Sequence, residues 1–540
     1  MVPYYRRLAL LLSLFVALCH TLEAKPYTLQ EIEVMPQSIA RDFYIWRFLE
    51  QPETTEQQAL TAYELSQRKN AKLKKAIRKK IGYTPKTPKP NATPKDPKNF
   101  IIYPYTAANK SRAALRKLYR RIQQRGQYSD VLQVMTSNDP FETLGTLTAQ
   151  TQCYIFNNAG TAYRKKRLNH PFPPQQLDAL AHEEQFNLAI FKIVTTPALD
   201  RMKRSLLGTP VTSKLEFQSR FLLAINAIEF NALTEAQHYL QHALSHAQYQ
   251  SQKDQCNFWL YLVTEEKVYL QRLIQSNQVN LYTLRARDLL NRPYPKVITP
   301  KLSVNLVANI DPHYPIDWER IKIKMQANTS KANEKLAERY NSYMTEGIYC
   351  YLKEKASNYT QPYYPMPYPD AMLGRERERI ALLYAIARQE SRFVPASIST
   401  SYALGMMQIM PFLIKHLAQE RGETLELEQM FDPYVAIDYA DQHLNYLTKH
   451  LYHPLFIAYA YNGGIGFTKR TIKKENLFKQ GRFEPYLSME LIDYPESRDY
   501  GKKVLTNYVI YSNLLGAQLK ITDFLNMLDK PSLTDRFRKE

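Results

Sequence analysis

Apolar positions return every three to four residues along most of the chain, the spacing of one face of an α-helix. In residues 378–395, ERIALLYAIARQESRFVP, the side chains of Ile380, Leu383, Tyr384 and Ala387 share such a face. Glu390 lies three residues past Ala387 and seven past Leu383, so the pattern puts a carboxylate on the apolar side. A residue before proline is pushed out of the α region, so Val394-Pro395 predicts that this helix stops just after Glu390. From about residue 28 to 275 one amphipathic segment follows another. Phe221, Ile225 and Ile228 form one stripe; Ala236, Leu240, Ala243 and Leu244 form the next. Such a run predicts an all-α fold, with an N-terminal superhelix of solenoid-like helix pairs, although no fixed repeat length emerges.

Proline divides this pattern. Residues 79–105, KKIGYTPKTPKPNATPKDPKNFIIYPY, predict an extended surface loop, taken as 82–105. Proline clusters return between 292 and 370, ending in QPYYPMPYPD, which reads as the joint before a new domain. The expected organisation is a segment 1–24, a superhelical domain 25–290, a helical linker region 291–362, a C-terminal domain 363–515 and a tail 516–540.

The first 24 residues have Arg6-Arg7, an apolar run from Leu8 to Leu18 broken only by Ser13, and Ala24 at the end. This is the layout of a secretory signal peptide, and the run is short against the roughly 20 residues of a membrane span. The expectation is an exported, periplasmic protein with no transmembrane span in the mature chain.

Composition supports helices, since 15 glycines in 540 residues are few for a turn-rich β architecture. The formal net charge of +21 favours an anionic partner: nucleic acid, an acidic membrane surface or an anionic polymer. Export argues against nucleic acid. Cys153, Cys256 and Cys350 are too few and scattered for a disulfide scaffold or a zinc site; they allow one bridge, whose partners the sequence does not give. His182-Glu183-Glu184 is not a metal-binding HExxH, and neither a phosphate loop nor metal-ligand spacing occurs elsewhere, so no cofactor or metal is expected.

Four short motifs occupy the last third in order: Glu390-Ser391, Gly405–Pro411 (GMMQIMP), Ala458–Gly464 (AYAYNGG) and Tyr494–Leu505 (YPESRDYGKKVL). Pro411 is placed as the first residue of a helix, and the glycine pair 463–464 as the end of one that starts near Pro454. An apolar face and the negative end of the helix dipole both favour the protonated form of Glu390. Arg388 and Arg392, each two residues away, point elsewhere. A protonated carboxyl of this kind suits a general acid.

Together, in this order and spacing, the four motifs resemble the soluble lytic transglycosylases of the SLT type, from about Tyr363 to Leu515. The resemblance implies a lysozyme-like, mainly helical catalytic domain behind an α-superhelical one. It makes Glu390 the single catalytic acid/base, with Ser399 and Tyr461 as catalytic support. It places Met407, Gln408, Asn462 and Glu496 in substrate binding. The implied partner is peptidoglycan, both glycan strands and stem peptides, and cell-wall synthesis proteins are further candidate partners. The chain departs from the family pattern at four places. Tyr402 stands where glycine is usual, Met406 replaces leucine, Ala436 replaces asparagine after Phe-Asp-Pro, and Gly463 replaces alanine after Tyr-Asn. If position 402 requires positive φ, tyrosine is strained there.

Most glycosidases flank the bond with two carboxylates, whereas the motifs here offer one. The implied reaction is cleavage of the β-1,4 bond between N-acetylmuramic acid (MurNAc) and N-acetylglucosamine (GlcNAc), with a 1,6-anhydro-MurNAc end as product. Two rivals use the same residues differently. A goose-type lysozyme would let water attack, and a non-catalytic scaffold would only bind peptidoglycan.

Overall fold

The computed structural model describes residues 27–85, 102–121, 127–304, 307 and 309–539. The signal-type segment and most of the proline–lysine stretch lie outside the described residues. Among the described residues the fold is all-α: β pairing is confined to isolated bridges such as Ile398 with Leu404 and Leu404 with Ile409. The helices that matter for the site are α1 (Ile39–Glu50), α2 (Ala71–Ile81), α3 (Arg112–Arg121), α4 (Glu346–Ala356), α5 (Arg377–Glu390), α6 (Pro433–Thr448), α7 (Pro454–Gly463) and α8 (Pro495–Leu514).

The loop expected over 82–105 is corrected at its far end. Pro104 opens a short helix, Pro104–Ala108, because a missing N–H and a fixed φ suit the first helical position. At its near end, α2 stops at Ile81 with Gly82 in the left-handed conformation at φ 77°.

The chain forms two compact units, each drawn from three segments. The first comprises Met1–Lys86, Leu302–Leu352 and Glu390–Ala440; the second comprises Thr87–Lys301, Lys353–Gln389 and Asp441–Glu540. In the first unit, α1 starts at Ser38, whose hydroxyl accepts the Arg41 N–H, and α2 starts at Asn70, whose side chain accepts from Leu73. The core of this unit is aromatic. Phe43 meets Tyr402 and Phe431 edge-on at centroid distances of 5.9 and 6.1 Å, and Trp46 stacks on Tyr402 at 5.5 Å. Arg47 of α1 pairs with both Glu426 and Glu428 at 2.7 Å, and the Tyr27 hydroxyl donates to Glu428 at 2.9 Å. These contacts tie α1 to the turn that precedes α6.

In the second unit, successive helices from Phe186 to Leu289 each pack on the next, as the periodicity predicts. Phe221, Ile225, Ile228, Ala236, Leu240 and Ala243 are all buried. A buried ion pair holds α8 in this unit: Lys502 reaches Glu490 at 3.0 Å. Tyr282 and Gln255 donate to the same carboxylate at 2.5 and 3.2 Å. Removing one partner of such a pair strands the other charge, at a cost of about 3–5 kcal/mol. Cys153, Cys256 and Cys350 are buried free thiols, and burial pushes the Cys153 thiol up to about 12.

Candidate active site

The residues expected to do chemistry fall in both units. Glu390, Ser399, Met407 and Gln408 belong to the first; Tyr461, Asn462 and Glu496 belong to the second.

Glu390 is the last residue of α5 and is half-buried, whereas Ala381 to Ala387 before it are buried. The helix ends abruptly because Arg392 and Phe393 both take left-handed conformations, at φ 53° and 65°. Neither residue type favours that region, so the surroundings must hold them there. Phe393 is fully buried, and the Val394 N–H returns to the Ser391 carbonyl at 3.3 Å. The Ser391 hydroxyl donates to the Met406 carbonyl at 2.8 Å. This bond joins the Glu-Ser motif to the GMMQ motif. In the last turn of α5, Arg388 is committed to Glu354 of α4 at 2.7 Å, and its guanidinium lies over the Tyr364 ring at 4.2 Å. The expectation that this arginine points elsewhere therefore holds.

The 397–409 segment folds back twice on itself. Leu404 and Ile409 exchange backbone hydrogen bonds at 3.0 and 3.1 Å, and the Gly405 N–H donates to the Ser397 carbonyl at 3.0 Å. Ser399 accepts from the backbone N–H groups of Ser401 and Ala403 at 3.2 and 2.9 Å, so its oxygen shapes the loop. Gln408 sits at φ 50° and donates its amide to the carbonyls of Ser397 and Gly405 at 3.0 and 2.8 Å. Met407 is fully buried. Gly405 is at φ 74°, and a Cβ there would lie 2.0 Å from the Met430 carbonyl oxygen. No other residue fits.

In the second unit, α7 begins at Pro454 and ends at the glycine pair, as predicted. Its last turn presents Tyr461, whose ring lies 5.6 Å from His443 of α6, and Asn462. The Asn462 amide donates to Glu496 at 3.2 Å, and its carbonyl accepts from the Ser497 hydroxyl at 2.6 Å. The Tyr494 hydroxyl donates to the other Glu496 oxygen at 3.2 Å. Glu496 is exposed in the first turn of α8, where the helix dipole favours an anion. Two cations of its own helix are engaged elsewhere: Lys502 is bound to Glu490, and Arg498 donates to the Glu490 carbonyl at 3.3 Å. The structure thus brings Asn462 and Glu496 together and adds Ser497 and Tyr494, which sequence reasoning missed. Both flank Glu496 in the YPES motif, so adjacency to a predicted residue was the available signal. The Gly463 departure also has a cause. A Cβ there would lie 2.7 Å from both the Ser497 hydroxyl and the Phe467 ring.

Residues 369–482 match the family model described as "Transglycosylase SLT domain". The segment that carries Glu390, the GMMQ loop and α7 therefore belongs to the SLT transglycosylase family. The soluble lytic murein transglycosylase of Escherichia coli (strain K12) is 25% identical over 215 residues, which are 38% of this chain and 32% of that protein. Its counterpart in Salmonella typhimurium is 29% identical over 163 residues, 28% of this chain and 24% of that protein. The chain thus spans about a third of the length of the first of these relatives. Among solved structures, the 70 kDa soluble lytic transglycosylase Slt70 of E. coli aligns over 93% of this chain and 84% of its own, at 17% identity and a TM-score of 0.47. The lytic transglycosylase Slt of Pseudomonas aeruginosa aligns over 89% and 74%, at 16% identity and a TM-score of 0.47.

Proposed function

We propose that this protein is an exported, periplasmic lytic transglycosylase that cleaves the MurNAc–GlcNAc β-1,4 bond of peptidoglycan, with Glu390 as its single acid/base. The observation that carries the reading is the SLT family match over 369–482, which encloses Glu390 at the terminus of α5. The groups around the motif suit the task. Arg388 is held by Glu354, which leaves the last turn of α5 without a free cation from that position.

Glu390 first donates its proton to the glycosidic oxygen as the C1–O4 bond breaks. The 2-acetamido oxygen of MurNAc stabilises the positive charge that develops at C1. The C6 hydroxyl then attacks C1, and the Glu390 carboxylate takes its proton, which restores the starting state. The product is a 1,6-anhydro-MurNAc end, and no water is consumed. Because attacking group and reacting carbon belong to one sugar, the step gains from proximity, worth about 7–11 kcal/mol in the best oriented cases. Tyr461 and Ser399 keep the supporting role, and Met407, Gln408, Asn462 and Glu496 the substrate-binding role, that the family resemblance implies.

Mass spectrometry of purified peptidoglycan digested by the protein and by Glu390→Gln tests this. The expected products are lighter by one water than hydrolytic fragments and vanish with the variant. Reducing ends of full mass would make the protein a lysozyme-type hydrolase. Binding without any product from either protein would make it a scaffold.

A further inference from the structure

Far along the chain from the SLT segment, the second unit contains a cavity of about 380 Å³ between the N-terminal part of α3, the short helix Pro104–Ala108 and residues 159–167. Its charge is one-sided. Among the described residues Lys110, Arg112, Lys166 and Arg167 line it, and no aspartate or glutamate does. None of the four cations forms an ion pair among the described residues. A soluble surface ordinarily intersperses both signs, so four unneutralised cations around one concavity repel one another unless an anion is present.

The walls are built rather than accidental. Arg112 is fixed by its Nη2, which donates to the carbonyls of Thr136 (3.3 Å) and Ser137 and to the Asn138 side chain. Lys166 and Arg167 lie in a π-helical turn, Arg164–Leu168, a rare element that recurs at functional sites. Tyr163 lines the same cavity, and its hydroxyl is buried without a hydrogen-bond partner. Burial pushes that hydroxyl up to about 12, and the positive charges of Arg167 and Arg112 oppose the shift. A hydroxyl of this kind is a donor awaiting an acceptor. The floor is apolar, with Leu115, Met135 and Pro140. Exposed Tyr105 rests its ring over Gly160, 3.2 Å from where a Cβ would be.

We infer that this cavity is a second, non-catalytic binding site for the carboxylate groups of peptidoglycan stem peptides. Its chemistry is that of a carboxylate receptor: paired cations, a tyrosine hydroxyl donor and a small apolar floor suited to short aliphatic side chains. The source of the carboxylates rests on the proposed function, while the anion preference rests on the cavity alone.

The test uses the full-length Glu390→Gln protein and a free stem peptide that carries no sugar, so that a glycan groove contributes nothing. Affinity is measured by calorimetry at low salt for this protein and for versions that also carry Lys166→Glu with Arg167→Glu, or Tyr163→Phe. The expected result is a loss of about tenfold or more with the charge reversal and a smaller loss with Tyr163→Phe. A stem peptide with amidated carboxyls is expected to bind all versions equally weakly. The inference is overturned if charge reversal leaves affinity unchanged, or if the amidated peptide binds as tightly as the free acid. It is also overturned if inorganic phosphate displaces the peptide at equal concentration, which would mark a general anion site. Cleavage of peptidoglycan by the Lys166→Glu, Arg167→Glu protein with Glu390 intact is scored separately. A failed product assay therefore leaves the binding result readable, and the reverse.

Discussion

At the scale of one residue, Tyr402 shows how a locally unfavourable choice is held. Its backbone is left-handed at φ 62°, which costs a non-glycine residue about 1–2 kcal/mol. Glycine would avoid that cost but could not replace the ring. The ring is fully buried, stacked on Trp46 and edge-on to Phe43, and its hydroxyl donates to the Asp42 carbonyl at 3.1 Å. Lys72 lies over the ring at 5.7 Å and donates to the neighbouring Ser401 carbonyl at 2.8 Å. Burial pulls the Lys72 ammonium down to about 8, so this second tie is itself costly. Tyr402 thus anchors the 397–409 loop to α1 and α2. Burial of a large aromatic outweighs relief of backbone strain. Tyr402→Gly is expected to lose about 1–4 kcal/mol, from roughly 3–5 for the ring less the strain regained. Tyr402→Phe is expected to lose about 1 kcal/mol, one hydrogen bond. Urea midpoints of the two variants decide the matter; a Gly variant as stable as the parent would mean that the ring contributes no more than the strain costs, about 1–2 kcal/mol.

At the scale of the element, α7 depends on His453. This residue is fully buried before Pro454, with one ring nitrogen accepting from the Leu455 N–H at 3.1 Å and the other donating to the Phe524 carbonyl at 2.9 Å. Burial is the main reason its pKa falls from 6.5 to about 4, with Arg538 adding repulsion and the Phe524 carbonyl opposing. Because the folded value lies below the unfolded one, the unfolded chain binds the extra proton between them. Stability from this site is therefore complete above pH 6.5 and is lost as pH falls toward 4, by up to about 3 kcal/mol. His453→Asn keeps an N-cap but cannot titrate. The difference in urea midpoint between pH 7.5 and pH 5 is expected to shrink in this variant, and an unchanged difference would assign the acid sensitivity to other groups.

Elements are also where the sequence was most and least informative. The stripe of the helix Leu233–Ser245 was legible because burial of one face imposes a period, whereas α5 over Ala381–Ala387 and the helix Phe217–Glu229 over Ser219–Ile228 are buried on every side, which a stripe understates. The starts of α7 and of the helix Pro411–Arg421 were legible because proline and glycine act locally. The exit from α5 was legible only as a stop. Two successive left-handed residues, Arg392 and Phe393, follow from tertiary packing and have no local signature. The roles of the Ser399 and Gln408 side chains in closing their own loop were hidden for the same reason. Met407 and Gln408 read as groove residues from the resemblance, while their contacts depend on a loop conformation that composition does not encode.

At the scale of the whole molecule, the dominant fact is a net charge of +21 on 540 residues. The charge is not spread evenly: Arg78, Lys79 and Lys80 end α2, and the basic cavity lies between α3 and residues 159–167. Self-repulsion of this size opposes folding slightly, while it keeps the chain soluble and draws it toward anionic partners. Peptidoglycan, the substrate of the proposed reaction, presents stem-peptide carboxylates at high local density. Exposed charges act over a screening length of about 8 Å at 0.15 M salt and about 3 Å at 1 M. Retention of the Glu390→Gln protein on insoluble peptidoglycan is therefore expected to fall about tenfold between 0.05 and 0.5 M NaCl, measured by co-sedimentation at constant pH. Charge reversal at Lys166 and Arg167 is expected to flatten that dependence, because those cations make part of the salt-sensitive contact. Retention that ignores salt would mean that sugar stacking and hydrogen bonding hold the protein on its polymer, and that the positive charge answers to some other demand.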